Sequence, residues 1–194
     1  DATAGVPVRE TCNRPAAGAA VTPPASGGAN VDQPAAPLSI VEVSIMFCDV
    51  KDFTSFAEGA EASEVVSCLN ALFEIVVPII SAEGGHVDKF EGDGLMAVFG
   101  APQSFPDHAD RAVRAAIEVD RRVNGFGEGG PFELGLGINT GCVVAGAVGG
   151  AGRLNFSVIG DTVNVASRVE AESRRTGDDV LLTAATREAL SADY

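Results

Sequence analysis

Two carboxylates have the types and placement for chemistry. Asp49 closes the run Val41-Glu-Val-Ser-Ile-Met-Phe-Cys-Asp49, and Asp93 sits in a Glu91-Gly-Asp-Gly94 turn between two apolar runs. Strand ends in the middle of a sheet can bring such groups together, and two close carboxylates repel unless a cation lies between them. Oxygen-only ligands of this kind suit Mg²⁺ or Mn²⁺. Asp is also a common turn and cap residue, and on spacing alone that plainer reading stands ahead. A second pair, Asn164 and Arg168, lies four residues apart and so shares one helix face, where a solvated polar surface is the ordinary explanation.

The elements that must position these groups follow from the hydrophobic pattern. Val41 to Asp49 is β-branched and aromatic and reads as a core strand. Residues 61 to 83 place Val65, Leu69, Leu72, Phe73, Val76 and Ile80 on a helical stripe, with Pro78 a kink and Gly84-Gly85 the stop. His86 to Phe90 and Leu95 to Phe99 flank the acidic turn as a hairpin. Residues 107 to 124 form a second amphipathic helix. Phe132 to Asn139 and Val143 to Val148 read as two strands around Thr140-Gly141. Asn155 to Ile159 is a strand, Asp161 to Glu172 a helix, Val180 to Leu182 a short strand, and Ala184 to Leu190 starts another helix. The order β-α-β-β-α-β predicts an α/β fold, an α+β sandwich with a ferredoxin-like βαββαβ core and additional strands and helices.

Residues 1–39 are rich in Ala, Pro and Gly without periodicity, so they are read as a disordered linker ahead of a domain at 40–194. The chain has 194 residues, with 27 acidic against 13 basic side chains and a net charge of −14. That excess excludes general nucleic-acid binding and a polybasic membrane surface. The longest uncharged apolar runs, such as Ile75 to Ala82, are far shorter than a membrane span, which points to a soluble chain. Cys12, Cys48, Cys68 and Cys142 show neither CxxC nor Cys/His spacing, so they are read as buried or incidental thiols of a reducing compartment. His86, Cys48 and Cys68 are assigned to packing.

Three segments change the balance of these readings. Phe47-Cys-Asp-Val-Lys-Asp-Phe-Thr54, Lys89-Phe-Glu-Gly-Asp-Gly-Leu-Met-Ala-Val-Phe99 and Phe156-Ser-Val-Ile-Gly-Asp-Thr-Val-Asn-Val-Ala-Ser-Arg168 together resemble the class III nucleotidyl cyclase catalytic domain, of the bacterial, mycobacterial-like adenylyl type. The resemblance runs from about Val41 to Leu190. It implies that Asp49, Asp93 and the backbone carbonyl of Val50 hold two Mg²⁺ or Mn²⁺ ions on a substrate triphosphate. It implies further that the backbone at Phe53 and Thr54 contacts phosphate, that Asn164 orients the ribose, and that Arg168 stabilises charge on the transferred phosphoryl group.

Base choice in the family depends on the positions matching Lys89, one of only two lysines here, and Ser157. Lys in the first favours adenine; the second is usually Asp in adenylyl cyclases, with Thr in a bacterial subset. The resemblance therefore implies an adenylate cyclase that converts ATP to 3′,5′-cyclic AMP and pyrophosphate at a homodimer interface. It also implies a cytoplasmic catalytic domain joined to an upstream regulatory or membrane domain. Asp52 stands where the family usually has Gly, Cys142 where some members have a phosphate-contacting Arg, and the chain stops at Tyr194, before the family's C-terminal strands. A non-catalytic cyclase-homology domain that binds nucleotide or signals by dimerisation is the alternative. A diguanylate cyclase fits poorly, because Glu91-Gly-Asp-Gly-Leu lacks its Gly-Gly-Asp/Glu-Glu-Phe hairpin.

Overall fold

The structure, a computed structural model, describes residues 38–125, 127–150 and 153–194. The strands are β1 (Ser39–Val50), β2 (His86–Glu91), β3 (Gly94–Phe99), β4 (Leu134–Gly150), β5 (Arg153–Ile159) and β6 (Val180–Leu182). The helices are α1 (Phe53–Gly59), α2 (Ala62–Ala82), α3 (His108–Asp120), α4 (Asp161–Thr176) and α5 (Ala184–Ala189). The sheet runs β2-β3-β1-β4-β5 with antiparallel neighbours, and β6 joins β4 in parallel. The first four strands with α2 and α3 make the expected βαββαβ core, and β5, α4, β6 and α5 are the additions.

Both faces of the central strand are apolar, and its period of two sorts them. Met46, Cys48 and Val50 turn to a first face, where Leu95, Phe99, Leu136 and Ile138 meet Leu72, Val76 and Ile80 of α2 and Ala112, Ala116 and Val119 of α3. Val43 and Ile45 turn to a second face with Met96, Val98, Val143, Val158 and Ala166 of α4. Asp49 falls on this second face, because it continues the odd-numbered positions. The whole of α2 is long and apolar enough to cross a membrane, a length that a count of uncharged runs alone does not reveal. In the fold its Leu72, Val76, Ile79 and Ile80 are buried against the sheet.

The expected pair of strands around Thr140-Gly141 is one strand of 17 residues. Gly141 is extended in the ladder opposite Val43, and a Cβ there would lie 2.8 Å from Thr162 Oγ1. This glycine therefore marks the close approach of α4 rather than a turn. Helix α1 has no counterpart in the sequence reading, α3 continues as a π-helical turn over Arg121–Gly125, and α4 runs four residues past Glu172. The expected linker lies, up to residue 37, outside the described residues. Cys48 and Cys68 are free thiols, whereas Cys142 is disulfide-bonded, so the thiol expectation fails there. Spacing along a chain does not say which cysteines the fold brings together.

The β4–β5 hairpin coils over the second face. Although β2 and β5 are opposite edges of the sheet order, the Phe156 ring meets the His86 ring edge-on at 5.7 Å. Two strand edges that would be far apart in a flat sheet thus share one site.

Candidate active site

Asp49 ends the central strand, and Asp93 occupies the turn that joins β2 to β3. Gly92 supplies the positive φ of 62° that this tight turn needs. Gly94 supplies space: a Cβ on it would lie 2.5 Å from Asp49 Oδ1 and 2.5 Å from the Cys48 carbonyl. The hairpin can therefore press Asp93 toward Asp49 only because residue 94 has no side chain. Burial raises the Asp93 carboxyl above its ordinary range, and the charge of Asp49 adds to it, against opposing contributions from a backbone N–H and Arg174.

A cation already lies on Asp49. The Arg174 guanidinium donates to Asp49 Oδ2 at 2.5 Å, to the Val50 carbonyl at 3.3 Å and to Glu170 Oε1 at 2.8 Å. Glu170 is raised by burial, which outweighs the lowering by Arg174. Gly135 and Gly137 on β4 let α4 lie this close, since a Cβ on either would overlap Ser173 Oγ or the backbone of Glu170. Sequence reading missed Glu170, Arg174 and their link to Asp49. Their four-residue spacing looks like any exposed helical ion pair. The available signal was the alternation of Gly135 and Gly137 on one face of a strand.

The donor chemistry suits a divalent cation. Asp49, Asp93 and the Val50 carbonyl offer hard oxygens, and a positive group is already drawn to two of those donors. No group of three or more His, Cys, Asp or Glu side chains among the described residues is arranged to hold a metal. Further ligands would then come from backbone, water or phosphate.

The turn after β1 carries the next predicted contacts. Asp52 is left-handed, with φ 54° and ψ 24°, and begins α1 without a side-chain cap. This conformation explains why glycine suits the position, and Asp is among the few other residues that tolerate it. Its side chain is exposed, as is Thr54. Phe53 is half-buried against Phe132, with ring centroids 6.1 Å apart.

On the other side of the second face, Lys89 and Ser157 come together around a residue that sequence reading passed over. The pairing of β2 with β3 slips between Val87 and Lys89, leaving Asp88 as a bulge. Ser157 Oγ donates to Asp88 Oδ2 at 3.1 Å, and Lys89 Nζ lies 3.6 Å from the same oxygen and 3.8 Å from Glu91 Oε1. The Asp88 side chain is 1% exposed, and its Oδ1 has no hydrogen-bond partner.

Asn164 and Arg168 do not join either cluster. They lie on the exposed side of α4, where Arg168 is 71% exposed, 3.6 Å from Asp161 and bonded to the Asn164 carbonyl at 3.3 Å. One helix thus presents Glu170 and Arg174 to its own sheet and Asn164 and Arg168 outward. Its N-terminus is fixed by Thr162, which donates to the Cys142 carbonyl at 2.8 Å, and by Asn139, which donates to the Thr162 carbonyl at 2.9 Å.

Similarity to known proteins agrees with this arrangement. Residues 37–194 match the adenylate and guanylate cyclase catalytic domain. Over 150 residues the chain is 39% identical to adenylate cyclase 1 of Rhizobium meliloti, an alignment covering 74% of this chain and 23% of that protein. The chain therefore spans under a quarter of that relative's length. Among solved structures, a bacterial light-regulated adenylyl cyclase superposes with a TM-score of 0.75 at 30% identity, covering 82% of this chain and 48% of that one. The guanylyl cyclase Cya2 superposes with a TM-score of 0.67 at 36% identity, covering 80% and 81%. With the carboxylate pair, the bulged Lys89 strand and the Asn164/Arg168 helix all inside the matched span, the chain belongs to the adenylate and guanylate cyclase catalytic domain family.

Proposed function

We propose that this domain is an adenylyl cyclase that turns ATP into 3′,5′-cyclic AMP and pyrophosphate by in-line attack of the ribose 3′-oxygen on the α-phosphorus. The observation that carries this reading is the pairing of Asp49 with Asp93 beneath Gly94, with a guanidinium on Asp49 and the Val50 carbonyl. Asp49, Asp93 and that carbonyl would hold two Mg²⁺ or Mn²⁺ ions, which when bound lower the pKa of the attacking hydroxyl and neutralise phosphate charge. The uncapped first turn of α1 at Phe53 and Thr54 offers backbone N–H groups to the triphosphate. Asn164 holds the ribose. Arg168 places several charge-assisted donors on the phosphoryl oxygens as their charge grows.

Base choice falls to Lys89 and Ser157. A lysine ammonium donates and never accepts, so it complements adenine N1 and opposes the N1–H of guanine. The outward face of α4 supports a site completed by a second copy of the chain, since Arg168 has only local partners among the described residues. In a two-fold dimer one chain would bring the carboxylates and the other Lys89, Ser157, Asn164 and Arg168, giving two equivalent sites.

The test is an assay with Mn²⁺-ATP and Mn²⁺-GTP over a range of protein concentrations, with cyclic products separated. Cyclic AMP formation that rises faster than linearly with protein is the expected result. Nucleotide binding with no cyclic product at any concentration would instead identify a non-catalytic cyclase-homology domain.

A further inference from the structure

We infer that Asp88 is a specificity-determining positioning residue, which fixes the polarity of Ser157 so that the site reads an exocyclic amine and rejects a carbonyl. The inference rests on the proposed reading of the base by Lys89 and Ser157. A serine hydroxyl is ambiguous by itself, with one proton to donate and two lone pairs to accept with. A free hydroxyl would rotate to suit the 6-amino group of adenine or the 6-carbonyl of guanine. Here the proton is committed, because Ser157 Oγ donates to Asp88 Oδ2 at 3.1 Å. What remains toward the substrate is an oxygen that only accepts. Backed by Asp88, Ser157 offers a base the same hydrogen-bonding character as a carboxylate without its full charge.

Three further observations make this arrangement specific. The bulge between Val87 and Lys89 sets Asp88 and Lys89 on the same side of the sheet, whereas regular alternation would send them to opposite faces. The Asp88 side chain is buried and its second oxygen has no hydrogen-bond partner, so the Ser157 hydroxyl supplies the one side-chain hydrogen bond to this carboxylate among the described residues. The same Oδ2 lies 3.6 Å from Lys89 Nζ, so one buried carboxylate sets both the hydroxyl that accepts from the amine and the ammonium that donates to the ring. In this pairing the 6-carbonyl and N1–H of guanine meet an acceptor and a donor respectively, and both are mismatched.

The experiment measures affinities for ATP and GTP by calorimetry, together with kcat/KM for each nucleotide, in variants of the intact protein. Asp88→Asn keeps the shape but can donate to Ser157, which turns the serine proton outward. Its ATP:GTP ratio should fall by roughly ten- to a hundredfold, the range over which one buried hydrogen bond discriminates. Ser157→Ala should also lower the ratio, and in that background Asp88→Asn should change it by less than about twofold, since the two act as a unit. Ser157→Asp should restore ATP preference to Asp88→Asn by supplying the acceptor directly. Should Asp88→Asn fail to fold, Asp88→Ala provides the same comparison, with the ratio falling because the hydroxyl is released. If Ser157→Ala leaves the ratio unchanged, the base is read elsewhere and the parent reading fails. If Ser157→Ala lowers the ratio but the Asp88 variants do not, or lower it equally without Ser157, the role assigned to Asp88 is overturned while the base reading stands.

Discussion

At the end of β1 a cation holds an acid, and at the β2 bulge an acid holds a hydroxyl. Arg174 bonds Asp49 and the Val50 carbonyl on the oxygens that a divalent ion would use, so any ligand there must compete with a group already in place. Asp88, with its side chain almost wholly buried, takes the Ser157 proton, and on the inferred reading the serine's lone pairs would be left to accept from a base. On the proposed reading the first arrangement would compensate a charge until a ligand arrives, while the second would be preorganised and persist on binding. Metal affinity should therefore be adjustable through α4, and base preference through the bulge, with little crosstalk.

The largest effect expected is at the carboxylates. Asp93→Asn should lower cyclase turnover by roughly a thousandfold or more, because on the proposed reading it would remove a charged metal ligand worth several kcal/mol in the transition state. The same substitution should raise the melting temperature in chelator, since Asp93 is both desolvated and repelled by Asp49. Activity and stability moving in opposite directions mark a functional carboxylate rather than a turn cap. A mixture of inactive Asp93→Asn and inactive Arg168→Ala chains should recover activity, to at most about half of parent per mixed dimer. No recovery, with mixed dimers shown to form, would place a complete site in each chain and remove the two-chain reading.

In both regions the sequence shows the motif residues and hides the residues that support them. The hairpin with Asp93 and the strand ending in Asp49 have local signatures, alternation and a Gly-Asp-Gly turn, while Asn164 and Arg168 are legible through the motif around them and not through their four-residue spacing. Each survives folding because the local preference and the tertiary position agree. The residues that hold the site carry no such signature. Asp88 reads as one more residue of a strand, because a bulge is a fault in register with a partner strand and not a pattern within its own. Arg174 lay past the expected end of the helix at Glu172, and its contact to Asp49 spans 125 positions. The continuity of β4 through Thr140-Gly141 was hidden for a related reason: the glycine that looks like a turn is there to admit Thr162.

A middle-sized effect should separate the two regions directly. Gly137→Ala would place a methyl group against the backbone of Glu170, where no flexible side chain can yield, so α4 must lift from β4. Overpacking of this kind costs about 1–3 kcal/mol, readable by denaturant unfolding. Gly59→Ala, with nothing within 4 Å of the added atom, is the control and should cost nothing comparable. The lifted helix should weaken Mn²⁺-dependent activity while leaving the ATP:GTP ratio near that of the parent, because the Asp88–Ser157 bond does not involve α4. A changed ratio in Gly137→Ala would show that the two regions are mechanically linked.

The smallest effect is the most pointed, because it concerns competition at the carboxylate end alone. Arg174→Met keeps the long aliphatic stem over the sheet and removes the guanidinium. Asp49 and Arg174 are 30% and 38% exposed, so their pair is only partly desolvated and contributes about 1 kcal/mol or less. Its removal leaves Asp49, Asp93 and Glu170 without their common cation, and the metal-free variant should melt a few degrees below the parent, the shift that such an energy produces in a domain of this size. Mn²⁺ should then do more for the variant than for the parent, since it binds an acidic cluster that no internal cation shares. The gain in melting temperature on adding Mn²⁺ without nucleotide should be larger in Arg174→Met, and Mn²⁺ titration should show tighter binding. Equal or weaker Mn²⁺ binding in the variant would mean that Arg174 shapes the site rather than competing for it, and the contrast between a displaceable cation and a fixed acid would fall.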